Sequence, residues 1–222
     1  MQQSPRCSLT EFEAALLTHF GPSAESSPGP RASAPVTLGA EITGTYAVYS
    51  LAWSPHFGGR ILRASLQISR LPNGAIRAEY REDLPIGATI FRGDALVTGR
   101  TLHLPLHGIT TGLPLFMSFA TPGTPVAVLC GVQCGSALLS HSVEPVAGRI
   151  LLVRLRNAKE LHASNRYLAL GETVTSDLVV LGLSAPPEME AQLTSMLGRV
   201  DRVTVGEQAW LAEWFDSGFL EG

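Results

Sequence analysis

The chain has 222 residues and a formal net charge of −3 at pH 7, and 45% of its residues are hydrophobic while 16% are charged. A chain of this composition can bury a sizeable core, which excludes disorder of the whole molecule. The net negative charge argues against a surface that holds duplex DNA by neutralising its phosphates, so we expect no direct nucleic-acid partner.

Nothing in the sequence indicates export or membrane insertion. No apolar stretch follows Arg6, so the N-terminus lacks the pattern of a signal peptide. The most apolar run, residues 126–139, is shorter than the roughly 20 residues that cross a bilayer. Three cysteines without an export signal predict thiols in a reducing compartment. We therefore expect a cytoplasmic location and no membrane partner.

A helix and a linker are predicted at the N-terminus. Ser8 and Glu11 have the spacing of a capping box, and the apolar residues after them recur at helical intervals. This pattern predicts a helix within residues 1–20. Residues 21–37 are rich in Pro, Ser, Gly and Ala, which is typical of a flexible linker.

Residues 38–156 follow the two-residue period of β-strands, with short apolar segments separated by Gly and Pro turns. This spacing predicts an antiparallel sheet that is closed or nearly closed into a barrel or sandwich. Beyond the first hairpin, strands are predicted at 89–97, 100–106, 113–119, 126–133 and 149–155.

The first hairpin allows its register to be predicted. A two-residue loop at Asn73-Gly74 would set Ile68 against Glu79, which puts an apolar and a charged side chain on one face. A three-residue loop over 72–74 sets Ile68 against Ala78 instead, and it places the glycine where a left-handed residue is required. We therefore predict the three-residue loop. The same register, extended along the strands, sets Leu66 opposite Tyr80 and Arg63 opposite Asp83.

Residues 157–222 are predicted to form an α+β appendage. The Leu-Val-Val-Leu run within 177–183 is typical of a buried strand. A helix is predicted to begin at Pro186-Pro187 and to end at Gly198, and a last helix is predicted over 206–215. The predicted fold class is thus α+β, a mainly antiparallel sheet with an N-terminal helix and a C-terminal helical appendage.

Two pairs of side chains have spacings that suggest metal or redox chemistry. Cys130 and Cys134 lie four residues apart, as do His103 and His107. We place both pairs on strands, where four residues span about 13 Å, too far to share an ion or to form a disulfide. Pro105 also rules out a regular helix between the histidines. No metal or cofactor is therefore predicted.

No catalytic signature is found in the sequence. It contains no Gly-x-Ser-x-Gly, no Gly-x-Gly-x-x-Gly, no Walker-type loop and no Asp-rich calcium loop. The neighbouring carboxylates Glu82-Asp83 lie near a predicted strand end, where we expect solvated charges. An enzyme is thus unsupported, and no catalytic residue is predicted.

Arginines concentrate in the first strands of the predicted sheet. Seven of them fall within residues 60–100, together with four acidic residues. They either form ion pairs on an outer sheet face or, with nearby aromatic residues, line a cleft for a small anionic or aromatic molecule. The predicted ligand-binding residues are Tyr49, Trp53, Arg60, Arg63, Arg81 and Arg92.

The predicted last helix carries an apolar stripe made of Trp210, Leu211, Trp214 and Phe215. Such a stripe packs in the core or, where it is exposed, contacts a partner. Trp210, Trp214 and Phe215 are therefore candidate contacts for a homodimer or another protein.

Residues 42–155 resemble the C-terminal domain of some bacterial helix-turn-helix regulators of the xenobiotic-response-element type. The stretches that carry the resemblance are Gly44-Thr-Tyr-Ala-Val-Tyr49, Gly59-Arg-Ile-Leu-Arg-Ala-Ser-Leu-Gln-Ile68, Phe91-Arg-Gly-Asp-Ala95, Leu113-Pro-Leu-Phe-Met-Ser-Phe119 and Cys130-Gly-Val-Gln-Cys-Gly-Ser136. The resemblance implies a sensing or oligomerising domain of a bacterial regulator. Residues 1–40 supply one predicted helix and a linker, so this stretch cannot read DNA as those regulators do unless a partner supplies the reader.

Three functions stay open on the sequence. We expect first a non-enzymatic domain that senses a ligand or mediates regulatory contacts, linked to transcriptional regulation through the resemblance. The second is a hydrolase that uses His103, His141 or Cys130. The third is a protein-interaction scaffold that uses the N-terminal helix and the Trp210/Trp214 stripe.

Overall fold

The computed structural model describes residues 41–85, 87–121, 126–139, 142–156 and 161–198. Within these residues lie ten strands and two α-helices. The strands are β1 (Gly44–Leu51), β2 (Ile61–Arg70), β3 (Ile76–Leu84), β4 (Gly87–Asp94), β5 (Leu96–Thr98), β6 (Thr101–Gly108), β7 (Pro114–Ala120), β8 (Val128–Leu139), β9 (Ser142–Leu155) and β10 (Arg166–Tyr167). The helices are α1 (Val174–Val180) and α2 (Glu190–Gly198).

Eight of these strands form a closed antiparallel barrel. They are hydrogen-bonded in the order β1-β9-β8-β7-β6-β4-β3-β2, and the pairing of β1 with β2 closes the ring. The two remaining strands are additions, since β5 pairs with β6 and β10 pairs with β2. The predicted antiparallel sheet is thus confirmed, and closure selects the barrel over the sandwich.

The first hairpin has the predicted register. Ile68 lies opposite Ala78, and Leu66 lies opposite Tyr80. The Leu71 amide donates to the Ala75 carbonyl at 2.8 Å, which encloses the three-residue loop. Gly74 has a φ of +86°, the left-handed conformation that the turn requires.

Alternation along the strands creates two apolar layers. One fills the barrel interior, where β1, β2, β6, β7 and β9 direct every second side chain inward. It includes Tyr46, Leu66, Leu104, Phe119 and Leu152, all no more than 1% exposed. The second layer lies outside the barrel, between β1, β8 and β9 and the two helices. It includes Ala47, Val128, Leu151, Leu178 and Leu193.

The predicted buried strand at 177–183 is wrong, because these residues contribute to helix α1 and the turn after it. Thr173 is the N-cap of the helix and forms a capping box with Ser176. The Thr173 side chain accepts a hydrogen bond from the Ser176 amide, and the Ser176 hydroxyl oxygen accepts one from the Thr173 amide. Leu178 is buried, whereas Val179 and Val180 are 56% and 79% exposed. Only one side of the Leu-Val-Val run faces the core, as in a helix at a surface.

The predicted helix after Pro186 is confirmed. Pro187–Met189 forms a 3₁₀ turn that leads into α2, and α2 ends at Gly198. No helix of the described ranges is long and apolar enough to cross a membrane. The predicted N-terminal helix, the linker over 21–37 and the last helix with Trp210, Trp214 and Phe215 lie outside the described residues, as does His141. Those predictions stay predictions.

Candidate functional site

The six predicted ligand-binding residues separate into three places. Tyr49 and Arg63 lie opposite each other on β1 and β2, facing the outer layer. Trp53 and Arg60 belong to the connection between these strands, at the end of the barrel where β1 passes into β2, β3 into β4 and β6 into β7. We call this the Trp53 end. Arg81 and Arg92 lie on the outer faces of β3 and β4.

Tyr49 and Arg63 form a buried polar cluster around Asp177. The Tyr49 hydroxyl donates to Asp177 Oδ2 at 2.8 Å, and Arg63 Nε lies 3.4 Å from the same oxygen. Arg166 Nη2 donates to Asp177 Oδ1 at 3.0 Å. The side chains of Arg63 and Asp177 are each 2% exposed. Burial first, and then the Asp177 charge, raises the pKa of Tyr49 well above its usual value. Arg63 and Asp177 are closed to solvent, while the Arg166 side chain keeps 38% exposure, and the cluster anchors α1 to the barrel.

The predicted pairing of Arg63 with Asp83 is wrong, because β2 and β3 separate before they reach it. Their ladder stops at Ser65 and Arg81, and β10 takes the place of β3 beside β2. There Arg166 lies opposite Arg63. Where β2 and β3 separate, Asn165 connects them through hydrogen bonds.

Asn165 links the two separating strands through one amide group. Its Nδ2 donates to Ser65 Oγ at 2.9 Å, to the Arg81 carbonyl at 3.0 Å and to Asp83 Oδ2 at 3.2 Å. Arg81 in turn forms an ion pair with Asp83, in which Nη2 and Oδ1 are 2.9 Å apart. Arg81 is thus engaged by a carboxylate rather than directed into a cleft.

Arg92 lies on β4, the strand paired with that of Arg81. Its Nε donates to Glu79 Oε2 at 2.6 Å, and its side chain is 52% exposed. The neighbouring Arg77 and Asp94 form a similar exposed pair. For this part of the arginine run the interpretation as a salt-bridged outer face fits the structure.

Aromatic side chains gather at the Trp53 end. The Phe57 and Tyr167 rings stack with centroids 4.2 Å apart and an interplanar angle of 14°. Arg60 Cζ lies 5.6 Å from the Phe57 centroid and 5.7 Å from the Tyr167 centroid, within cation–π range. The Arg60 guanidinium also donates to the Leu168 carbonyl, at 3.0 Å from Nε and 2.6 Å from Nη2. Residues 165–168 therefore contact both the Trp53 end of the barrel, through Arg60, and its side, through β2.

Trp53 packs against the barrel interior at the same end. Gly135 and Gly148 make room for its indole, since a β-carbon on Gly135 would come 3.3 Å from Trp53 Cζ3 and one on Gly148 would come 3.5 Å from Trp53 Nε1. Two glycines at neighbouring places on β8 and β9 thus admit a large ring where side chains would otherwise meet.

Glu82 is a carboxyl group that sequence reasoning missed. Alternation along β3 puts it on the same face as the interior residues Ala78 and Tyr80. The Tyr80 hydroxyl donates to Glu82 Oε1 at 2.7 Å. Burial raises the pKa of Glu82, and the hydrogen bond from Tyr80 opposes that effect only in part. Among the ion pairs of the described residues none involves Glu82.

The surroundings of Glu82 are aromatic. Burial, the Glu82 charge and the shared hydrogen bond together raise the pKa of Tyr80 well above its usual value. Burial, and after it the Glu82 charge, raises the pKa of Tyr167. The signal in the sequence was the alternation itself, because Ile76, Ala78 and Tyr80 lead directly to Glu82 at the next inward position.

The cysteine and histidine pairs lie on extended strands, as expected. Cys130 is buried against α2, with its Sγ 3.1 Å from Met196 Sδ, whereas Cys134 is exposed further along β8. His103 and His107 share the outer face of β6, and His103 Nδ1 lies 2.9 Å from Ser118 Oγ on β7. No group of three or more His, Cys, Asp or Glu side chains within the described ranges could hold a metal ion.

No protein-family model matches the chain, and a search of curated proteins finds no similar sequence.

Proposed function

We propose that the chain is a non-enzymatic ligand-binding domain and that a small molecule binds at the Trp53 end of the barrel. The observation that carries this proposal is Glu82. A carboxyl group on the inward face of an apolar barrel costs free energy unless a cation compensates it. Its only described hydrogen bond comes from Tyr80. Such a perturbed group beside aromatic rings is a typical feature of binding sites.

The distribution of the other predicted residues supports the same location. Trp53 packs against the barrel interior at this end, and Arg60 lies against the Phe57–Tyr167 stack. Tyr49 and Arg63 are engaged by Asp177, while Arg81 and Arg92 are each paired with a carboxylate. Because their partners already neutralise those arginines, we assign them structural roles and restrict the binding site to the Trp53 end.

A regulatory role in a bacterial cytoplasm belongs to the same proposal. It is supported by the resemblance to the sensor domains of helix-turn-helix regulators and by Cys134, which is a free thiol. In such a role, ligand binding would change the contacts that the domain makes with itself or with a partner protein.

A fragment screen by thermal shift tests the proposal. An aromatic fragment that binds the native state raises the midpoint by mass action, about 2.7 kcal/mol of stabilisation at a concentration of 100 Kd. We expect hits whose effect is lost in Trp53→Leu and in Glu82→Gln. The effect should be retained in Glu79→Gln, which alters an outward carboxylate three positions before Glu82 on the same strand. Hits that stabilise both site variants as much as the wild type would refute this location.

A hydrolase is the second candidate, and the contact between His103 and Ser118 is the observation that favours it. A serine hydroxyl within hydrogen-bond distance of an imidazole is the first requirement for nucleophilic catalysis. If this pair were catalytic, a fluorophosphonate probe would label the wild type and His107→Ala, but neither Ser118→Ala nor His103→Ala. His107 is the matched control because it lies on the same face of β6. An unlabelled wild type would remove this candidate.

A further inference from the structure

We infer that the ligand of the Trp53 end presents a planar cationic group with N–H donors to Glu82, as an amidine or a protonated amino-heterocycle does. This inference rests on the proposed function of that end and names its ligand class. It narrows the anionic or aromatic molecule predicted from the sequence to an aromatic one that carries positive charge.

Glu82 has hydrogen-bonding capacity that the protein does not use. An ionised carboxylate only accepts hydrogen bonds and can receive a planar pair of donors on its two oxygens. Oε1 already accepts from the Tyr80 hydroxyl, and no hydrogen bond to Oε2 is found among the described residues. Glu82 also keeps partial exposure, so an incoming donor can reach it. A ligand with N–H groups satisfies the vacant acceptor, whereas an anion would repel it.

The aromatic rings at this end favour a cationic ligand. Aromatic faces attract cations, and planar ones stack upon them. This end already contains one such arrangement, because the Arg60 guanidinium lies within 5.7 Å of both the Phe57 and the Tyr167 ring centroids. A ligand amidinium has the same planar, delocalised charge. The Tyr167 ring, on which the Glu82 charge acts, is one of these faces.

The arginines that an anionic ligand would need already have partners in the protein. Arg63, Arg81 and Arg92 each form an ion pair with an acidic side chain of the protein. Arg60 donates through Nε and Nη2 to a backbone carbonyl. An anion would have to displace an acidic partner from Arg63, Arg81 or Arg92, whereas a cation uses an acceptor that the protein leaves open.

Three nearly isosteric probes test the charge preference: benzamidine, benzamide and benzoate. Their binding to the full chain is measured by ligand-observed NMR and by calorimetry at neutral pH. Hydrogen bonds to charged groups contribute about 1.5–3 kcal/mol, so we expect benzamidine to bind about ten- to a hundredfold more tightly than benzoate. Benzamide should lie between them. Glu82→Gln should bring the three affinities to within about threefold, and Glu79→Gln should leave the order unchanged.

The outcomes separate the two proposals. Equal binding of the three probes, or a preference for benzoate, would overturn the inferred ligand class while leaving a binding site at this end. Failure of every probe to bind, together with an empty fragment screen, would overturn the proposed function itself. The wild-type comparison alone decides the charge preference, so the test does not depend on the folding of the Glu82→Gln variant.

Discussion

The substitution Asp177→Asn probes the contact that holds α1 against the barrel. Asn keeps the size of the side chain and can still accept from the Tyr49 hydroxyl, but it removes the negative charge that faces Arg63 and Arg166. The side chain of Arg63 is 2% exposed, so water cannot replace the lost counter-charge. The variant therefore isolates the effect of an uncompensated buried cation.

The size of the effect follows from this burial. Removing one partner of a buried ion pair costs about 3–5 kcal/mol. For a domain of this size about 1 kcal/mol corresponds to roughly 2–4 °C, so the melting midpoint should fall by about 6–20 °C. Asp94→Asn is the control, because Asp94 pairs with Arg77 at 58% and 50% side-chain exposure. Its loss should cost no more than about 1 kcal/mol.

Urea denaturation at neutral pH measures both variants, and a third protein tests the mechanism. In Arg63→Met/Asp177→Leu the charges are removed together, so most of the stability lost in Asp177→Asn should return. An Asp177→Asn variant that unfolds within about 1 kcal/mol of the wild type would refute the argument from burial. A double variant as unstable as Asp177→Asn would show that packing, rather than an unpaired charge, causes the loss.

Three further predictions concern the barrel and its edges. The raised pKa of Glu82 means that the folded state binds the Glu82 proton more tightly than the unfolded state does, so the stabilising effect of this protonation is complete below the ordinary glutamate pKa and is lost as pH rises through the folded pKa. Glu82→Gln should therefore melt at a higher temperature than the wild type at pH 8 and lose that advantage by pH 4. The same dependence of melting temperature on pH in both proteins would contradict the prediction. Gly93→Ala should destabilise the fold by about 1–3 kcal/mol in urea, since the new β-carbon would lie 2.0 Å from a backbone carbonyl oxygen of β6, whereas Gly198→Ala, with no atom within 4 Å, should stay within about 0.5 kcal/mol. Asn165→Ala should cost about 1–3 kcal/mol because the three oxygens on β2 and β3 lose their shared donor, and hydrogen exchange should be faster at the Trp53 end than at the opposite end.

The candidate site was predictable from the sequence only in part. Trp53 and Arg60 were proposed from their place in the connection between two strands, and that connection does lie at the aromatic end of the barrel. Tyr49 and Arg63 were assigned to the ligand, but both are covered by Asp177, a residue 114 or more positions away in the chain. Glu82 was expected to be solvated because it is charged and near a turn. Its inward position is evident only when the alternation along β3 is given more weight than its charge.

By itself the sequence determined the features that depend on near neighbours. The two-residue period of the strands and the three-residue loop that ends at Gly74 follow from local alternation and turn chemistry, and both agree with the structure. The proline-initiated turn that leads into α2 is local in the same way. The closure of β1 upon β2 and β9, the insertion of β10 beside β2 and the helical state of the Leu-Val-Val run were decided only by tertiary packing. Each of these depends on which distant surface covers a given side chain. An apolar residue in the sequence indicates burial but does not indicate which surface it packs against.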